Sequence, residues 1–159
     1  MSLKKERLSW VLMGFLFVAI AAAVLVLLPQ LQSQTALRLG DGVYKMRILN
    51  RHDSEKMAQQ DVETLQQNKA MLHVYDTDKM WTIDMKNRTS QFDIVWLDKN
   101  KKVVHVVKNA SSESQPDTVF SSKVSSRYIV ELAGGAVDAK TIRIGGTAYF
   151  EDKDVEGLK

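Results

Sequence analysis

Apolar residues are distributed along this chain in two different ways. Trp10 to Leu28 is an unbroken apolar run of nineteen residues, WVLMGFLFVAIAAAVLVLL. At about 1.5 Å of rise per residue, a helix of that length covers roughly 28 Å, close to the hydrocarbon thickness of a bilayer. The run predicts a single transmembrane helix over residues 9–29. Beyond Pro29 the apolar positions come in short groups separated by polar turns. Ala36 to Leu39 and Val43 to Leu49 alternate around Gly40-Asp41-Gly42 and predict a hairpin. Asp53 can cap a helix over about Ser54 to Gln67. Its apolar face, Met57, Val62 and Leu65, is sparse enough for a surface position.

From Met71 onward, short runs rich in branched and aromatic residues predict strands. Met71 to Tyr75 and Trp81 to Met85 flank the polar Asp76-Thr77-Asp78. Phe92 to Leu97 and Val103 to Lys108 pair across Asp98 to Lys102, and the first of these places Phe92, Ile94 and Trp96 on one face. Asn109 to Asp117 reads as a polar loop. Val119 to Ser121, Arg127 to Leu132, Thr141 to Ile144 and Thr147 to Phe150 complete the β content, with turns at Gly134-Gly135 and Gly145-Gly146. Residues 151–159 are charged and expected to fray. Several short strands, one helix and no β-α-β rhythm predict a mainly β (α+β) domain. The expected form, over residues 36–150, is a small antiparallel barrel or sandwich with a packed helix.

Charge changes this picture in one respect, the orientation. Lys4, Lys5 and Arg7 precede the apolar run, whereas Pro29 to Leu37 carries no charge. Basic flanks stay in the cytoplasm, so residues 1–8 are expected inside, 30–35 form a short linker, and the carboxy-terminal domain is extracytoplasmic. A cleavable signal peptide shares the basic start, but its apolar region is normally only about 7–15 residues long. Here five further apolar residues follow Ala21 to Ala23. Setting aside Lys4, Lys5, Arg7 and Glu6 from the 22 basic and 19 acidic residues leaves 19 and 18, a net charge of about +1. The near-neutral domain gives no electrostatic case for nucleic acid. There is no cysteine, so neither disulfides nor lipid attachment at a cysteine is expected.

Several groups of residues follow the pattern of a known family. Ala70-Met71-Leu72 is similar to a glycine-methionine-leucine strand start. Met85-Lys86-Asn87 followed by Phe92-Asp93-Ile94 matches a methionine-lysine-asparagine turn leading into a leucine-aspartate-isoleucine strand. Arg127 to Gly134 (RYIVELAG) is similar to a tyrosine-valine-leucine-glutamate-leucine strand with its glycine, and Ile144-Gly145 to a closing turn. On these residues the chain resembles the domain of unknown function 192 family. The resemblance implies a compact β-barrel-like fold and no established activity. Departures stand within the motif: Asp84 replaces an aromatic residue, Arg88 a threonine and Gln91 a proline, and the helix region has Ala58-Gln59-Gln60 instead of glycine-leucine-methionine.

The candidate ligand-binding site or structural clasp is Met85, Lys86, Asn87, Asp93 and Glu131. Asp93 lies between Phe92 and Ile94, where a carboxylate must face solvent or accept hydrogen bonds from a fixed partner. Glu131 must likewise line a polar cavity or pair with a base such as Lys86. Asp76, Asp78 and Asp84 lack the glycine and distal glutamate of a calcium loop. His52, His73 and His105 lack zinc-site spacing and read as surface or half-buried strand residues. No metal, cofactor or catalytic residue is expected. Trp81, Trp96, Tyr75, Tyr128 and Tyr149 are either core or a binding groove. The leading expectation is a non-enzymatic, single-pass membrane protein whose outer domain binds an envelope component or a protein partner. The competing expectation is a cell-surface enzyme using Asp93 and Glu131, which requires both carboxylates to converge in one cleft.

Overall fold

The computed structural model describes residues 35–50, 52–54, 65–86, 88–113 and 118–158. The transmembrane expectation for residues 9–29 lies outside these. Among the described residues no helix is long and apolar enough to cross a membrane. Eight strands follow in chain order: β1 (Ala36–Leu39), β2 (Gly42–Leu49), β3 (Lys69–Lys79), β4 (Thr82–Asp84), β5 (Phe92–Leu97), β6 (Val103–Ala110), β7 (Val119–Ser121) and β8 (Ser126–Ala133). A one-turn helix, α1 (Ala136–Ala139), and a 3-10 turn at Asp152–Asp154 come after them.

Six strands form one mixed sheet in the order β1-β2-β3-β8-β5-β6, and β4 pairs with β7 in a second, two-stranded sheet. The large sheet is not closed into a barrel, which corrects the barrel expectation. Residues near the C-terminus touch both of its edges through isolated bridges, Arg38 with Tyr149 and Lys102 with Thr147. A second correction concerns direction: β2 and β3 are parallel neighbours, with Lys45 beside Lys69 and Leu49 beside His73. Parallel neighbours need a crossover rather than a tight turn. The connection includes helical residues 52–54, while 65–67, expected to continue a helix, are not helical and 55–64 lie outside the described residues.

The β1–β2 and β5–β6 hairpins form as the apolar alternation predicts. The β1–β2 turn depends on Gly40. Its φ is +56°, and a Cβ there would lie 2.1 Å from the carbonyl oxygen of Lys140, the same oxygen that accepts the Asp41 N–H at 2.8 Å. The segments Met71–Tyr75 and Trp81–Met85, which flank Asp76-Thr77-Asp78, do not pair with each other. Instead β3 runs on to Lys79 beside β8, and β4 turns away to pair with β7. Nor do Thr141 to Ile144 form a strand, since Thr141 has a φ of +55° just after α1.

The centre of the large sheet is buried on both faces, so all six residues of β5 are buried despite their mixed polarity, whereas β1 and β2 alternate buried and exposed. One face carries Leu72, Val95, Val130 and Leu132 and is covered by Val137, Ile142, Phe150 and Val155. The stretch expected to fray therefore contributes Val155 to the core at 1 % exposure. The other face carries Met71, Ile94, Trp96 and Ile129 and is covered by Ile83, Met85 and Phe120 from β4, its following turn and β7. Tyr75, Trp96 and Tyr128 belong to these cores, whereas Tyr149 is exposed.

Two buried side-chain atoms among the described residues lack a hydrogen-bond partner, Arg88 Nε and the Tyr44 hydroxyl. The pKa of Tyr44 is pushed up to about 12, chiefly by burial and further by the negative charge of Asp93. Because a buried polar group left unpaired costs about 1–3 kcal/mol, Tyr44→Phe should keep the fold and raise unfolding free energy by about 1 kcal/mol. Denaturant titration checks this, and a clear loss of stability would show that the hydroxyl contributes favourably.

Candidate functional site

The candidate residues are positioned by the two central strands of the large sheet. In the β5–β8 ladder Asp93 stands beside Leu132, and Ile94 beside Glu131. Adjacent residues of a strand point to opposite faces, so the two carboxylates lie on opposite sides of the sheet. Both are 0 % exposed. They do not share a cleft, and the paired-carboxylate arrangement expected of an enzyme is absent.

Each carboxylate is instead committed to donors on its own face. Asp93 accepts the Asn109 N–H on Oδ1 at 2.8 Å and the Val137 N–H on Oδ2 at 2.7 Å. Asn109 has a φ of +50° and sits where the β5–β6 register shifts, so an extra residue of β6 presents its N–H to the Asp93 side chain. Val137 lies in the first turn of α1. Asp93 thus clasps the bulge and the helix start to the sheet, with charge-assisted bonds to main-chain donors.

Glu131 is the hub of the other face. Arg88 grips it with two bonds, Nη1 to Oε2 at 2.6 Å and Nη2 to Oε1 at 3.2 Å. His73, on the neighbouring β3, brings Nε2 to Oε1 at 2.5 Å. The other ring nitrogen, Nδ1, lies 2.7 Å from Ser54 Oγ. Ser54 in turn donates its hydroxyl proton to the Asn50 carbonyl at 2.8 Å. The cluster is an imidazole and a guanidinium closed on one buried carboxylate. Burial alone would raise the Glu131 pKa; His73 and then Arg88 outweigh it and hold the carboxyl below its ordinary value.

Local structure explains how Arg88 arrives there. Asp84 Oδ1 accepts the Lys86 N–H and the Thr118 hydroxyl, each at 2.8 Å, and Arg88 N–H closes a turn on the Met85 carbonyl at 2.9 Å. Met85, at 0 % exposure, plugs the turn into the core, and the Arg88 guanidinium lies over the Phe92 ring at 5.1 Å. Of the sequence-predicted residues, Met85 and Glu131 come together on this face, Asp93 lies on the opposite one, and Lys86 is exposed. Asn87 lies outside the described residues. The base that pairs with Glu131 is Arg88 rather than Lys86. His73, expected at or near the surface, is 1 % exposed. Arg88 was visible in the sequence only as a departure from a motif. His73 carried no signal, because its approach to Glu131 depends on the β3–β8 register.

With this geometry in view, comparison with known proteins is informative about fold. The domain of unknown function 192 family, described as an uncharacterized ACR, matches residues 40–149, more than half of the chain. The chain belongs to that family. A crystal structure of a protein of unknown function from Novosphingobium aromaticivorans aligns with a TM-score of 0.64 at 15 % identity, covering 72 % of this chain and 83 % of the other. A protein from Sinorhizobium meliloti, provisionally described as a transcription regulator, aligns with a TM-score of 0.62 at 15 % identity, covering 73 % and 92 %. At that identity the likeness shows the fold alone. No curated protein is matched by this chain.

The cluster makes stability depend on pH in a definite direction. Since the folded-state pKa of Glu131 lies below the unfolded value near 4.5, its contribution is fully present above that value and is lost as pH falls through the folded pKa. Glu131→Gln leaves the buried Arg88 guanidinium without its anion and should cost about 3–5 kcal/mol at neutral pH. Melting curves from neutral to acid pH should show the wild type losing more stability than Glu131→Gln on acidification. Equal losses would remove Glu131 as the titrating group.

Proposed function

We propose that the protein is a membrane-anchored, extracytoplasmic interaction module that recognises a partner protein of the cell envelope through the end of its β domain remote from the point where the chain enters it. The observation that carries this reading is a supported apolar tip. The register places Lys79 beside Ser126 and Thr82 beside Ser121, so residues 80–81 face residues 122–125 across one end of the domain. Met80 and Val124, in those facing connections, are 63 % and 46 % exposed.

The base beneath them is firm. Trp81 stacks on Tyr75 with centroids 4.0 Å apart and planes 12° from parallel, and its carbonyl accepts the Trp96 indole N–H at 3.0 Å. Lys79 lies over the Trp81 ring at 5.5 Å. Exposed apolar side chains on a preorganised base favour recognition over random exposure. The chain enters the domain at Thr35, whose carbonyl accepts the Met46 N–H near the start of β3. The tip is at the far end of β3, beyond Lys79, and along the neighbouring β8 it lies six residues from the level of Ala70, roughly 20 Å at about 3.3 Å each. The enzyme alternative lacks support, because Asp93 and Glu131 lie on opposite faces and both are saturated by protein donors.

A photo-crosslinking residue at position 80 or 124 of the full chain, expressed in its own envelope, tests the reading. Discrete protein adducts are expected. They should fall about ten-fold when the unlabelled one of these two positions is changed to aspartate, the size of effect expected of a hot-spot side chain. Adducts identical to those from a probe at Lys99, or adducts to wall polymer alone, would count against a protein partner.

A further inference from the structure

β6 is an outer strand of the large sheet, and its free edge is used along only part of its length. At Val103 both main-chain groups point outward: the N–H donates to the Gly146 carbonyl and the carbonyl accepts the Gly145 N–H, each at 2.8 Å. Lys102 and Thr147 form a bridge beside them. There the ladder stops. Among the described residues, no main-chain hydrogen bond from outside the sheet reaches residues 104–108. Those residues are Val104, His105, Val106, Val107 and Lys108, with the three valines half-buried and packed against the cores. The core therefore holds the strand extended while alternate N–H and C=O groups along its edge face outward with no main-chain partner among the described residues.

We propose that this edge is a docking site for an extended segment of the partner protein, which adds as a further strand beside residues 104–108 and continues the short ladder begun at 145–147. The segment carries β-branched residues at alternate positions and acidic residues at its ends. This rests on the interaction-module reading and names the mode of contact. In strand addition, main-chain bonds supply affinity and alternate side chains supply selectivity.

Charge selects the occupant. Exposed Lys102 stands at the start of the strand and Lys108 near its end. Lys123 is close enough to His105 to add to the effect of burial in holding its pKa below the ordinary value. Lys108 has a partner in Asp138, but that pair is exposed, at 50 % and 69 %, and weak by the general rule for surface pairs. A second copy of this chain fits poorly. Antiparallel self-pairing centred on His105 sets Lys102 opposite the copy's Lys108, and centring on Val106 makes the two diagonal neighbours, so like charges meet in either register. Register shifts at both ends of the strand confine regular pairing to a few residues, and together with the lysines they exclude long or basic partners.

Hydrogen exchange on the full-length chain in detergent micelles tests the proposal with two synthetic peptides. One is Glu-Glu-Thr-Val-Thr-Val-Thr-Val-Glu-Glu, and the other has lysine in place of each glutamate. The acidic peptide should slow exchange of the 104–108 amides by about five-fold or more. It should bind about ten-fold more tightly than the basic one, and Lys102→Glu with Lys108→Glu should reverse that preference. Methylating alternate peptide nitrogens should abolish the protection. Absence of protection at 104–108, or equal binding of both peptides, overturns strand addition. Protection confined to 80–81 and 122–125 also overturns it while leaving the interaction-module reading intact, and that reading fails separately if the tip crosslinks fail.

Discussion

Glu131 sits in the middle of the large sheet with no access to water, and an ionised carboxylate cannot remain there without compensating charge. The rest of this face follows from that constraint. Arg88 has to reach inward, which draws the turn beginning at Met85 against the sheet and seats Met85 in the core. His73 has to stand one strand away, which requires the β3–β8 register observed. Ser54, held on the Asn50 carbonyl, hydrogen-bonds the other imidazole nitrogen and ties the segment after β2 to the same hub. Segments far apart in sequence are thereby fixed by one carboxylate.

Asp93 performs the equivalent task on the opposite face. Its oxygens hold main-chain donors of the β6 bulge and of α1, and so decide where the polypeptide goes after both β6 and β8. The adjacent central strands each carry one buried carboxylate, and alternation sends the two to opposite sides. Two motif acids that look paired along the sequence are thus separate clasps, each holding a different layer. Both are held by protein donors, and the exposed tip at Met80 and Val124 and the edge of β6 lie away from them.

Local rules made much of the fold readable in advance. Alternation and glycine-bearing turns located β1 with β2, and β5 with β6, because hairpin contacts are close in sequence. The same rules failed where pairing is distant. Trp81 to Met85 read as a strand but its partner was not legible: β4 pairs with β7, and the two cover one apolar face of the sheet. The parallel β2–β3 pair was hidden because a crossover leaves no turn signature. α1 was hidden because its single turn, Ala136–Ala139, is stabilised by docking and by Asp93 rather than by intrinsic propensity. In the candidate site, burial of Asp93 and Glu131 with fixed partners was readable from their apolar neighbours, but the partners were not. Long-range register, absent from local pattern, brings Arg88 and His73 to Glu131.

The central claim is that Arg88 and Glu131 are coupled in the core and together hold the turn to the sheet. A double-mutant cycle with Arg88→Met and Glu131→Leu measures that coupling directly, with unfolding free energy read by denaturant titration. Removing Glu131 alone strands the Arg88 guanidinium in the core and removing Arg88 alone leaves the carboxylate to His73, whereas the double change removes both members of the ion pair. The account predicts that the double variant is more stable than either single variant, with a coupling of about 2–3 kcal/mol. Additive losses, with the double variant the least stable of all, would contradict it.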